Sequence, residues 1–274
     1  MMKEDIKHFD IFVGAAKSFH RNNDSKTAAA LAFHGLFALI PLFLVLLFLL
    51  GHYLVSSQTA LKGLESLSSD LIPEFSRVIF TEVYSLSRSK SIWGSLSTLV
   101  LFWSIYSLFS AMRSSFSVIF NLKKESPYLR GKLLDALALL VILTLLIVII
   151  ISEIFYAKIV KVSLSHVPVL LHISNIVASL FITTLFLTIF YFVFSPVKLK
   201  INSLLTGSIT TAVLWTVIRP AFIVFLTFNP NYGFAFGSLK AIFIILLWVY
   251  YFFSVLLFGA EIIANKERKT GKQY

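Results

Sequence analysis

Long apolar runs separated by short polar stretches dominate this chain. The runs cover about 28–55, 92–120, 133–155, 168–194, 204–228 and 239–264. Each holds roughly 20 residues or more, enough for one helix to cross a hydrocarbon core of about 30 Å. The spacing before the first run differs. In 1–27, Ile6, Phe9, Val13 and Ala16 share one helical face, with Phe12 and Phe19 beside it and lysines opposite. That is an amphipathic helix, lying in the membrane interface or capping the bundle. Between the first two runs, Leu61, Leu64, Leu67 and Leu71 keep helical spacing. Pro73 interrupts it, and Phe75, Val78, Ile79 and Val83 resume it. Two short amphipathic helices outside the bilayer follow, as a lid or as plain connectors. The fold class is therefore all-α integral membrane: six transmembrane helices with N-terminal and extracytoplasmic amphipathic helices.

Composition agrees. Of the 274 residues, 58% are hydrophobic, more than a water-exposed surface could hide. The segments are an amphipathic 1–27, a membrane domain 28–264 and a basic tail 265–274. The formal charge of +11 sits in the loops. The N-terminal segment, the 121–132 and 196–203 loops and the tail together carry 15 Lys and Arg, against 7 in the alternate loops. That bias places both termini in the cytoplasm. It also points to anionic lipid headgroups as partners rather than nucleic acid. A second copy of the chain stays open as a partner.

Local features mark candidate chemistry. Small residues Ala28, Ala29, Ala30 and Ala32 open the first span and permit close packing. His34 follows, and Pro41 can kink the helix. Serines 97, 104, 107, 110, 114 and 117 form a polar stripe on the second span. Thr183, Thr184 and Thr188 on the fourth could bond across helices. The fifth contains Arg219 and Pro220, and the loop after it has Gly233 and Gly237, suited to a tight turn or a hinge.

Ionised groups inside a bilayer are costly unless paired or facing water. At about 1.5 Å per residue, His34, Arg113 and Glu261 lie in the cytoplasmic third, with Arg219 and Glu153 toward the outside. Two polar layers result, pairing Arg113 with Glu261 and Arg219 with Glu153. Alternatively Arg219 holds an anionic headgroup in its planar fork. A network that merely fixes helix packing explains the same residues.

Three segments look like the YihY/virulence factor BrkB family: AAALAFHGLFALIPLFLVLLFLLG, SIWGSLSTLVLFWSIYSLFSAMRSSFSVIFN and NYGFAFGSLKAIFIILLWVYYFFSVLLFGAEI. The NYG…GSL turn and the GAE ending are the most specific parts, and Arg219 also matches. The FSPVKLK stretch departs from the Leu-Pro-Asn turn common there. The resemblance implies a polytopic inner-membrane protein, with members linked to serum resistance or envelope lipid export. An older label, ribonuclease BN, implies a metal-dependent nuclease. The residues do not support it: His8, His20, His34, His52, His166 and His172 form no ligand cluster, and there is no cysteine.

No Walker loop, HExxH or nucleophile–base spacing appears, so no cofactor or metal is expected and an enzyme is disfavoured. A transporter or flippase-like protein for a lipid or amphipathic anion is the leading expectation. Its binding candidates are Arg219, Arg113 and His34, and its charge partners Glu261 and Glu153. A membrane scaffold of the envelope is the alternative.

Overall fold

The computed structural model describes residues 2–38, 92–122, 168–228 and 240–269. Every regular element among them is a helix. They are α1 (Met2–Arg21), α2 (24–38), α3 (Ile92–Ile119), α4 (Pro168–Phe194), α5 (Ile201–Phe228) and α6 (Lys240–Lys269). Among the described residues, three segments are long and apolar enough to cross a membrane: Ile176–Phe194, Ile201–Phe228 and Ile242–Lys269. The third predicted span with Glu153, the amphipathic 56–91 stretch, Pro41, Gly233 and Gly237 lie outside the described residues.

The last helix is the hub. It packs against α1, α3 and α5, while α4 leans on α5 and α3. From Leu256 to Ala264 it is buried on nearly every side. A helix apolar all round belongs inside a bundle, and this one occupies that place. It also runs further than expected. Residues 265–269, read from sequence as the start of a loose tail, form its final turn. Glu267 within that turn is fully buried.

Two small-residue seams set the helix spacing. On α2, Ala28, Leu31, Ala32, Gly35 and Ala38 face inward, and Gly35 lies against Val249 and Phe253 of α6. Ala28 and Ala32 pack closely as expected, whereas Ala29 and Ala30 of the same run are exposed. Between α5 and α6 the seam is Gly207 against Gly259, where a Cβ on Gly207 would lie 3.0 Å from the Gly259 carbonyl. Such contact brings two backbones together without an intervening side chain. Tyr191 of α4 reaches the same place. Its hydroxyl donates to the Leu256 carbonyl at 2.8 Å and meets Thr211 Oγ1 at 2.9 Å. Aromatic rings fill the rest: Phe109 and Phe116 of α3 meet Phe190 and Phe194 of α4, with centroids 5.1 to 6.4 Å apart.

The N-terminal helix docks on α6, as the capping alternative requires, but by another face than the one predicted. Ile11, Ala15 and Ser18 are buried, whereas Phe9 and Ala16 are exposed. Ile11 and Ala15 pack with Ile262. Phe12 and Phe19 flank Phe258 at 5.1 and 6.0 Å. The reason is polar. The small side of α1, with Gly14, Ala15, Ser18 and Asn22, lets Asn265 and Glu261 approach and make hydrogen bonds. Bulky rings on that side would have prevented it.

The serine stripe also divides. Ser104 and Ser115 are buried, Ser107 and Ser117 half-buried, and Ser110 and Ser114 exposed. Ser115 and Ser117 donate to carbonyls one turn back, of Ala111 and Arg113. Thr188 likewise bonds to Thr184 of its own helix at 2.7 Å, not across helices. Helical hydroxyls satisfy themselves this way without a partner helix.

Candidate functional site

The densest set of buried polar groups lies where α1 turns into α2 and both meet the end of α6. Asn23 makes the turn. Its φ of 55° is in the left-handed region, which Asn tolerates better than most residues. Its carbonyl accepts from the Lys26 and Thr27 amides at 2.9 and 3.2 Å, starting α2. The corner leaves Asn22 and Asp24 pointing toward α6.

Glu261, with no exposed surface, is the centre. Asn22 Nδ2 donates to its Oε1 at 2.5 Å. Asn265 Nδ2 donates to its Oε2 at 3.3 Å, to its carbonyl at 2.8 Å and to Ser18 Oγ at 3.3 Å. The charges of Arg268 and Arg21 also reach this carboxylate. Asp24 stands beside it, 2% exposed, and its Oδ2 receives no hydrogen bond. Burial first, and then the Glu261 charge, push the Asp24 carboxyl up to about 8.

The final turn of α6 ties this centre to the other helices. Arg268 donates to the Ile119 carbonyl at the end of α3, where the helix dipole favours a cation. The Glu267 carboxylate accepts the Lys200 amide at 3.0 Å, at the start of α5, where the dipole favours an anion. Lys266 Nζ donates to Asn202 O and Oδ1 at 3.1 Å and to Thr206 Oγ1 at 2.5 Å. Lys269 lies 4.0 Å from Asp10 of α1. One turn thus holds α1, α3 and α5.

The residues singled out from sequence separate onto four helices. His34 on α2 meets Ser107 of α3 at 3.0 Å through Nδ1. Arg113 is half-buried on α3. Glu261 does not form the predicted pair with Arg113. Its hydrogen bonds go to Asn22 and Asn265, and the cations acting on it are Arg268 and Arg21. The α1–α2 corner reaches Glu261 first, and sequence spacing could not show that. Arg219 is half-buried on α5, nine residues before the described helix end at Phe228. Pro220 beside it is exposed, within an unbroken helix. Sequence reasoning missed Asp24, Asn22, Asn265 and Glu267. The available signal was Glu261, Asn265 and Arg268, four and three residues apart on one helical face.

A family model described as Virulence factor BrkB matches residues 15–274. A UPF0761 membrane protein of Coxiella burnetii (strain RSA 493 / Nine Mile phase I) is 26% identical over 263 residues, 90% of this chain and 89% of that protein. One from Haemophilus influenzae (strain 86-028NP) is 25% identical over 264 residues, 94% of each chain. One from Rhodospirillum centenum is 27% identical over 269 residues, 94% of this chain and 58% of that longer protein. No solved structure matches the chain.

Proposed function

The chain belongs to the virulence factor BrkB family of membrane proteins, and from that premise we propose that it carries a lipid or another amphipathic anion across the membrane. The membrane is taken to be the bacterial inner membrane, with both termini cytoplasmic and no catalysis involved.

The observation that carries the reading is Arg219. It sits within a helix of spanning length and composition, about 14 Å from the described end at 1.5 Å per residue. Ionisable residues within spans are rare and mark substrate or ion paths by default. Serving an anion that passes through is a reason to keep it there. The guanidinium fork binds a phosphate or carboxylate with two parallel hydrogen bonds, which suits a headgroup. Arg113 and His34 are the further binding candidates. Phe225 and Phe228 are exposed on the same helix and would face acyl chains. The scaffold alternative draws on a different observation, the polar clamp made by the end of α6.

The test is reconstitution in vesicles containing a fluorescent anionic phospholipid, with transfer between leaflets followed by quenching. Transfer faster than in protein-free vesicles is the expected result. Arg219→Ala should slow it about tenfold or more, the loss of one charge-assisted contact, and Arg219→Lys less. Folded wild-type protein no faster than empty vesicles would exclude lipid transfer and leave the scaffold.

A further inference from the structure

We propose that Asp24 and Glu261 form a proton-binding site, one proton being shared between two buried carboxyl groups where the α1–α2 corner meets the last helix. Neither the family relationship nor the transport reading supplies this site.

The donors do not suffice for two carboxylates. Glu261 has both oxygens occupied, Oε1 by Asn22 and Oε2 by Asn265. Asp24, equally buried, has an Oδ2 that no N–H or O–H reaches, and the group facing it is the Glu261 carboxylate. Two like charges removed from water repel strongly, and one shared proton relieves the repulsion while supplying the missing hydrogen bond. Such a pair titrates as a unit.

The surroundings decide where the proton rests. The amides of Asn22 and Asn265 donate to Glu261, and Arg21 of α1 and Arg268 of α6 lie near it, so the donors and cations gather on Glu261 rather than on Asp24. Nearby charges on the same turn of α6 are engaged elsewhere. Glu267 accepts from Lys200 ahead of α5, Lys266 donates to Asn202 and Thr206 of α5, and Arg268 also donates to Ile119 of α3. Asp24 therefore takes the proton. The upward shift of its carboxyl to about 8 agrees. A metal cation suits the site poorly, because the asparagines present N–H donors to the carboxylate. Binding the proton holds the α1–α2 corner to α6, and releasing it places two negative charges face to face.

The test uses the full-length protein in detergent, titrated by infrared difference spectroscopy. The expected result is a protonated-carboxyl carbonyl band that disappears near pH 8 and is missing in Asp24→Asn. Glu261→Gln should keep the band but move its loss toward the ordinary carboxylate range, since the neighbouring charge is gone. Melting gives a second reading. The folded group holds its proton more tightly than the unfolded one, so its stabilisation is complete below 3.8 and is lost as pH rises to about 8. The wild-type melting temperature should fall across that window, and that of Asp24→Asn should not. If Asp24→Asn fails to fold, the Glu261→Gln shift alone decides. The proposal is overturned if every carboxyl band is lost below about pH 6. A band unchanged in Asp24→Asn, or one displaced by sodium at constant pH, would also overturn it. These readings come from the protein at rest and are independent of any lipid-transfer result.

Discussion

Among the described glycines, Gly259→Ala should be the most damaging substitution. A Cβ at that position overlaps Thr211 Oγ1 and Tyr191 Oη and lies 3.1 Å from Thr211 Cβ. None of these can swing aside. Thr211 is 2% exposed and donates to the Gly207 carbonyl at 2.8 Å. Tyr191 is fully buried and donates to the Leu256 carbonyl. Room for the methyl requires α5 and α6 to move apart or the hydroxyl pair to break. Overpacking costs about 1–3 kcal/mol and each buried hydrogen bond left unmade a similar amount, so a loss of about 4 kcal/mol is expected. That is a large part of the total stability of a typical domain, and the detergent-solubilised protein should melt on the order of 10 °C lower. Adding Thr211→Ala should recover part of the loss, a non-additivity that marks direct contact. A Gly259→Ala protein melting like wild type would mean that the two helices do not meet here.

Glu261→Ala should release the N-terminal helix while leaving the membrane-length helices folded. Asn22 and Asn265 would lose a charged acceptor, and α1 would keep the apolar contacts of Ile11 and Ala15 with Ile262 and of Phe12 and Phe19 with Phe258, with the weaker polar contacts of Ser18 and Asp10. Of the bonds to the Glu261 carboxylate only that of Asn22 joins α1 to α6, and a hydrogen bond to a charged group contributes about 1.5–3 kcal/mol, so undocking should become easier by about 2 kcal/mol, or on the order of 30-fold. Lys17 and Arg21 are exposed on α1 but held in helix, so tryptic cleavage there reports the opening. Cleavage about 30-fold faster than wild type is the expected result. Glu261→Gln keeps an acceptor and should lie between the two. Equal rates in all three proteins would show that the carboxylate does not hold α1.

Much of this architecture was legible because a bilayer simplifies the problem. A helix must satisfy its own backbone in hydrocarbon, so run length alone predicted 92–120, 168–194 and 204–228 to within a few residues of α3, α4 and α5. Ala28 and Ala32 read correctly as packing positions, because only small side chains admit a close neighbour, while Ala29 and Ala30 beside them are exposed. The face of α1 was not legible. Its most apolar side carries Phe9, yet the docked side is the one that fits Asn265 and Glu261. The end of α6 was misread for a related reason. A basic stretch looks like a solvated tail until neighbouring helix ends supply each charge with a partner.

The sequence by itself determined that this chain is a set of long apolar helices and that charge enters those helices at few positions. Length and hydrophobicity are properties of a segment and need no neighbour. Only the tertiary structure decided that Glu261 answers to Asn22, Asn265 and Asp24 instead of Arg113, and that Glu267 and Arg268 anchor α5 and α3. Helical periodicity says which side a group faces. Which helix stands on that side is settled by three-dimensional packing, through the cost of leaving any buried charge without a partner.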